Sequence, residues 1–121
     1  MKATKILVLV CTLLLVLAGC QRQEFDGSRV SDDTQFVLEY SVLNSTQTHE
    51  MTLEQGERLH VQIENKSGRL DIVVSSPDGK EIYRGNNADT GEFYLEIQQT
   101  GEYSFSVTGA DAKGSVGFVK E

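Results

Sequence analysis

Apolar residues recur at every second position from Gln35 to the end of the chain. Phe36, Leu38, Tyr40 and Val42 alternate with Val37, Glu39 and Ser41. Met51 and Leu53 flank Thr52, and Leu59, Val61 and Ile63 alternate with His60, Gln62 and Glu64. The same pattern returns at Leu70, Ile72 and Val74, at Phe93, Leu95 and Ile97, and at Tyr103, Phe105 and Val107. Ile82-Tyr83 and Val116 to Phe118 are shorter echoes. A period of two places one face of a strand in a core and the other in water. No stretch after residue 35 carries a helical period.

The breaks between these runs have turn chemistry. Glu54-Gln55-Gly56-Glu57, Asn65-Lys66-Ser67-Gly68, Pro77-Asp78-Gly79-Lys80, Thr100-Gly101 and Asp111-Ala112-Lys113-Gly114 each offer Gly, Asn or Asp, for which positive φ is cheap. In Pro77-Asp78-Gly79 the proline presets φ at the first corner of a tight turn. Short strands spaced by such turns predict an all-β fold. The expected form is a single antiparallel sandwich of the jelly-roll or Greek-key kind, with about eight strands.

One phrase occurs twice. Thr90-Gly91-Glu92-Phe93 and Thr100-Gly101-Glu102-Tyr103 stand ten residues apart, each followed by alternating apolar positions. Ten residues is one strand and one turn, too short for a solenoid unit. The two copies therefore read as neighbouring strands, each entered through Gly-Glu. They differ by a hydroxyl. Tyr103, just after Gly101, is placed to bond back across its corner as in Greek-key sandwiches, or to serve as a partly buried aromatic.

The first residues follow different rules. Lys2 and Lys5 precede an apolar run from Ile6 to Leu17. That run is shorter than the ~20 residues a membrane-spanning helix needs, and it has the form of a secretory signal. It ends in Leu17-Ala18-Gly19-Cys20, which resembles the lipobox of bacterial lipoproteins. The resemblance implies removal of residues 1–19 and attachment of diacylglycerol to the sulfur of Cys20, with further acylation. Two or more chains anchor a protein stably at ~0.8 kcal/mol per buried CH₂. An ordinary signal cleaved after Ala18 is a second reading, and a retained signal anchor a third, against which the short apolar run argues. Residues 20–34 are polar apart from Phe25 and Val30, and read as a flexible tether with a reach of roughly 20 Å, a docked N-terminal strand using Phe25 and Val30 being the weaker alternative. The sandwich is expected over residues 35–121.

Charge and cysteine use narrow the partners. Loss of Lys2 and Lys5 with the signal moves the formal net charge from −7 to −9. So acidic a chain is a poor ligand for nucleic acid, and anionic head groups repel it, which leaves attachment to the lipid on Cys20. Cys11 lies within the signal, so no cysteine remains for a disulfide or a structural zinc site.

The stretch from Leu70 through Pro77-Asp78-Gly79 to Tyr83, followed later by Gly101-Glu102-Tyr103-Ser104-Phe105-Ser106-Val107, is similar to two related sandwich groups. These are the GOLD domains of secretory-pathway proteins and the bacterial pre-peptidase C-terminal domains. The resemblance spans roughly the last half of the chain. It implies an interaction module without catalytic residues.

Motifs for chemistry are sparse. No Gly-x-Ser-x-Gly, His-Glu-x-x-His or cofactor signature occurs. His49 and His60 read as solvated surface residues. Asp78, Asp89 and Asp111 read as turn carboxylates, with calcium ligation as the other option. Tyr83 and Tyr94, and Tyr40 less strongly, are the candidate ligand-contacting aromatics, or else they complete the packing. The expected protein is a non-enzymatic lipoprotein, held on the extracytoplasmic face of a bacterial cell membrane. It displays a sandwich that binds a protein or envelope partner. The alternative is a small-ligand or calcium-dependent carbohydrate binder.

Overall fold

The structure is a computed structural model that describes residues 23–121. Leu17, Ala18, Gly19 and Cys20 lie outside the described residues. Seven strands follow in order: β1 (Phe25–Ser31), β2 (Gln35–Leu43), β3 (Thr46–Leu53), β4 (Arg58–Ser75), β5 (Glu81–Gly85), β6 (Gly91–Glu96) and β7 (Gly101–Lys120). Every pairing is antiparallel.

The two long strands make the sandwich. The first half of β4 pairs with β6 and with the second half of β7, which in turn pairs with β2 and then β1. The second half of β4 pairs with β5 and with the first half of β7, which pairs with β3. Layer 1 is therefore β1-β2-β7-β4-β6, and layer 2 is β3-β7-β4-β5. Both long strands bend from one layer into the other. Phe105 and Phe118 lie on the same strand, and thirteen residues of straight strand would separate them by ~43 Å. Their ring centroids are 5.0 Å apart, so β7 has folded back across the core.

Two glycines permit the bends. Gly68 has φ +79°, and a β-carbon there would lie 2.2 Å from the Asp111 carbonyl oxygen. A β-carbon on Gly114 would lie 1.8 Å from the Glu64 carbonyl oxygen. The two backbones meet at a distance that no side chain allows. Asn65 to Gly68 and Asp111 to Gly114, expected to reverse the chain between strands, are thus bends with register shifts inside continuous strands. This merges four of the expected strands into two.

The other difference is β1. Residues 25–31 are not tether: they pair with β2 from Phe25↔Leu43 to Ser31↔Phe36. The hairpin is closed by Asp32. Its backbone N–H donates to the Gln35 carbonyl at 3.0 Å. Its carboxylate accepts from the Thr34 N–H and hydroxyl, both at 2.8 Å, and from the Gln35 N–H at 3.0 Å. With two merges and one addition, the expected eight strands become seven.

The core follows the predicted alternation closely. Phe36, Leu38, Leu59, Val61, Leu70, Ile72, Val74, Tyr103, Phe105, Val107, Val116 and Phe118 are all buried. In β2 the alternation slips between Tyr40 and Leu43, so Leu43 enters the core in place of Val42. The edges between the layers are closed by aromatic and charged side chains. On one side His49 of β3 lies 5.2 Å from Phe36, and the Arg29 guanidinium sits 4.9 Å over the same ring. On the other, Tyr83 of β5 packs 4.9 Å from Phe93 of β6.

The connections gather at two ends. The bend end holds the first described residues, the β2–β3 and β5–β6 connections and the bends of β4 and β7. The far end holds the β1–β2, β3–β4, β4–β5 and β6–β7 connections and the C-terminus.

Candidate functional site

The turn residues singled out in the sequence meet at the far end. The Gly79 N–H donates to the Ser76 carbonyl at 2.9 Å, and Ser76 N–H to the Lys80 carbonyl at 2.8 Å. Gly79 has φ +84°. This is a three-residue hairpin loop with Pro77 at its first corner. Asp78 accepts from the Ser76 hydroxyl, which holds its carboxyl below the usual range. Pro77 packs on Gly101, where an added β-carbon would lie 2.5 Å from the proline ring. Two residues on, the buried Tyr103 donates its hydroxyl to the Gln99 carbonyl at 2.6 Å. Pro77, Gly101 and Tyr103 thus form one structural corner. The Gly-Glu phrases are consecutive in the chain but not paired strands, contrary to the reading as neighbours: β6 is an edge of layer 1, and the start of β7 lies in layer 2.

The remaining candidates part company. Tyr83 is half-buried on the inner side of β5, and burial raises its hydroxyl pKa. It packs the edge and is not on an outer face. Tyr40 is buried, which pushes its hydroxyl up to about 12. Tyr94 points outward and is 44% exposed. Its ring stacks on His60 at 4.7 Å, and the Arg58 guanidinium lies 4.3 Å from its centroid. His60 also meets Glu92, and its Nδ1 lies 3.5 Å from Glu121. His49 donates from Nε2 to the Asp32 carbonyl at 2.8 Å, on the other layer. Neither histidine is a plain solvated residue, and they are not a pair. Asp78 is at the opposite end from Asp89 and Asp111. Among the described residues no group of three metal-binding side chains forms.

The strand registers show what surrounds Tyr94. On the outer face of layer 1, Val30, Val37, Gly117, Gln62 and Glu92 form one row across five strands. Gln35, Val119, His60 and Tyr94 form the next. Val30 is 47% exposed. A β-carbon at Gly117 would meet only Val37, at 3.8 Å, so the row dips there. Beyond it Ser28, Glu39, Ser115 and Glu64 form a third row. Two shallow depressions of about 510 and 490 Å³ share Glu64 and Ser115 and run along this row. Exposed Val30, half-buried Val37 and the dip at Gly117 are therefore bordered by Glu39, Glu64 and Glu92. The alternation showed Val37, Gln62, His60 and Tyr94 as outward, while Val30 was read as tether, and only the pairing of non-consecutive strands sets them side by side.

The outer face of layer 2 is different. Thr46, Thr48, Ser104, Ser106 and Thr108 tile it with hydroxyls, and Thr46 and Thr108 bond at 2.8 Å. Glu50 and Glu102 approach each other there, which raises the Glu102 pKa.

Most cations are already paired. Among residues 23–121 there are eight Lys and Arg against all 18 acidic residues. Arg58, Lys66, Arg69, Lys80, Arg84 and Lys120 each contact a carboxylate. What the surface offers to a partner is chiefly carboxylate.

No protein-family model matches the chain, and no curated protein matches it by sequence. Solved structures do. One is PliG of Aeromonas hydrophila, a periplasmic inhibitor of g-type lysozyme: TM-score 0.51, 14% identity, covering 84% of this chain and 91% of that one. Another is the pre-peptidase C-terminal domain of a Bacillus anthracis collagenase: TM-score 0.50, 12% identity, covering 84% of this chain and 100% of that one. The chain shares their β-sandwich fold. At these identities the likeness is one of architecture, and it agrees with the all-β reading of the sequence.

Proposed function

We propose that the protein is a non-catalytic, extracytoplasmic sandwich, anchored by lipid on Cys20, whose layer 1 outer face binds a cationic protein. The observation that carries this is the outward row of exposed Val30, half-buried Val37 and the dip at Gly117, bordered by Glu39, Glu64 and Glu92. Apolar contact surface with a charged rim is the anatomy of a protein interface. Surplus carboxylate favours a basic partner and speeds its approach. The fold is also that of a periplasmic protein that inhibits a lysozyme, which supports an extracytoplasmic site and a protein target. The carbohydrate reading has less support, because the ring of Tyr94 is already engaged by His60 and Arg58.

Photocrosslinking residues placed at Val37 and at Tyr94 should each yield the same basic-protein adduct on intact cells. A probe at Thr48, on the hydroxyl face, should yield none. Val37→Lys should abolish the adduct formed from position 94. Equal crosslinking from both faces would remove the assignment. For the anchor, Cys20→Ala should abolish labelling by a fatty-acid probe and release the protein from membranes; unchanged labelling would end the lipoprotein reading.

A further inference from the structure

The described residues begin close in sequence to the proposed anchor. Asn44 donates its backbone N–H to the Glu24 carbonyl at 2.7 Å and its side-chain amide to the Gln23 carbonyl at 3.1 Å. The Ser45 hydroxyl also reaches Glu24, at 3.3 Å. The Asn44 side-chain oxygen accepts from the Asp111 N–H at 2.5 Å. One asparagine therefore ties the first described residues to the bend of β7. Only two residues separate Cys20 from Gln23, so the link spans at most ~11 Å. The far end is more distant: seven residues of strand, from Arg58 to Asn65, cover ~23 Å.

Charge separates the ends in the same sense. The bend-end segments, residues 23–25, 44–45, 65–69, 86–90 and 109–114, carry Lys66, Arg69 and Lys113 against Glu24, Asp89 and Asp111. Lys66 lies 3.8 Å from Glu64, and Arg69 lies 3.1 Å from Asp71. The far-end segments, residues 32–34, 54–58, 76–81, 96–100 and 120–121, carry eight carboxylates, among them Asp32, Asp33, Glu54 and Glu57, against three basic residues. With Asp26 and the partners Glu64 and Asp71 counted the bend end is acidic too, but less so than the far end, and the less acidic end is repelled less by an anionic lipid surface.

We propose that the bend end of the sandwich sits directly on the phospholipid head groups, with the acidic far end pointing away. This rests on the lipidation of Cys20. The layer 1 face then stands beside the membrane and is open to a partner. The domain does not swing on a long tether, because the residues that would form one are β1.

The test uses the full lipidated protein in vesicles of phosphatidylethanolamine and phosphatidylglycerol containing a nitroxide head-group lipid. Ser67→Cys at the bend end and Gln55→Cys at the far end are each labelled with a fluorophore, the sulfur of Cys20 being held in its thioether. Quenching should be several-fold stronger at position 67. Twelve Gly and Ser residues inserted between Cys20 and Gln23 should shrink the difference. Equal quenching at both sites, or stronger quenching at 55, overturns the orientation. Intact mass keeps the two readings apart. If the diacylglyceryl mass is present and quenching is equal, only the orientation fails. If that mass is absent, the anchor fails and the orientation with it.

Discussion

At the scale of single residues, Tyr103 and Glu102 stand side by side on β7 and act in opposite directions. The buried Tyr103 satisfies the Gln99 carbonyl. Tyr103→Phe keeps the ring and leaves that carbonyl without its hydroxyl partner, so it should cost ~1–2 kcal/mol in a denaturant titration. A loss too small to measure would make Tyr103 a packing residue only. Glu102 has a raised pKa because it shares a hydrogen bond with Glu50 and feels its charge. A raised carboxyl binds its proton more tightly in the folded state, so its contribution favours folding at acid pH and is lost as pH rises through the folded value. Glu102→Gln should raise Tm at pH 7 by roughly 1–2 °C and leave it unchanged at pH 4. A gain at pH 4 equal to that at pH 7 would refute the repulsion. Both residues were visible in the repeated Gly-Glu phrase. The acceptor of the hydroxyl and the facing carboxylate were not, since the second depends on β3 lying beside β7.

At the scale of elements, the bends of β4 and β7 carry the fold. The sequence signals there were real: Asn, Gly and Asp in clusters. Such clusters mark positive φ and close approach, but they do not say whether the chain reverses or bends. That is settled by the partner strand, and here two partners bend together at Gly68 and Gly114. Gly114→Ala drives a methyl into the Glu64 carbonyl and should cost more than ~2 kcal/mol or prevent folding. Wild-type stability in that variant would show that the crossing is loose. β1 was hidden for a different reason. As an edge strand it buries only part of Phe25, and every other residue in it is exposed, so no alternation could show. Ser31-Asp32-Asp33-Thr34 did carry a signal, that of an aspartate capping its own turn. The bonds from Thr34 and Gln35 hold the Asp32 carboxyl below its usual range. Their help to the hairpin is present at neutral pH and fades as pH falls through that lowered value.

At the scale of the whole molecule, charge dominates. Eighteen acidic residues against eight basic ones in the described domain repel one another at low ionic strength, and most of the ion pairs are exposed and weak. Raising salt from 20 to 200 mM should therefore raise Tm, because screening relieves repulsion more than it weakens the pairs. A fall in Tm would show that the pairs win. The same salt should weaken capture of a basic partner on the layer 1 face, so stability and binding should move in opposite directions.

The chain by itself determined most of the residues that face inward, because alternation in a strand is a local property set by the pleat; Leu43, brought in by the slip in β2, is an exception. It also determined the turn at Pro77 and the net charge, both of which need only neighbours in sequence. Tertiary structure decided the rest: which strands pair, where β4 and β7 cross between layers, and which outward residues become neighbours. Val30, Val37 and Gly117 come from three strands spread over most of the chain, and no local rule links them. They form one strip because antiparallel pairing brings distant segments to within a strand's width, and that choice belongs to the shared core.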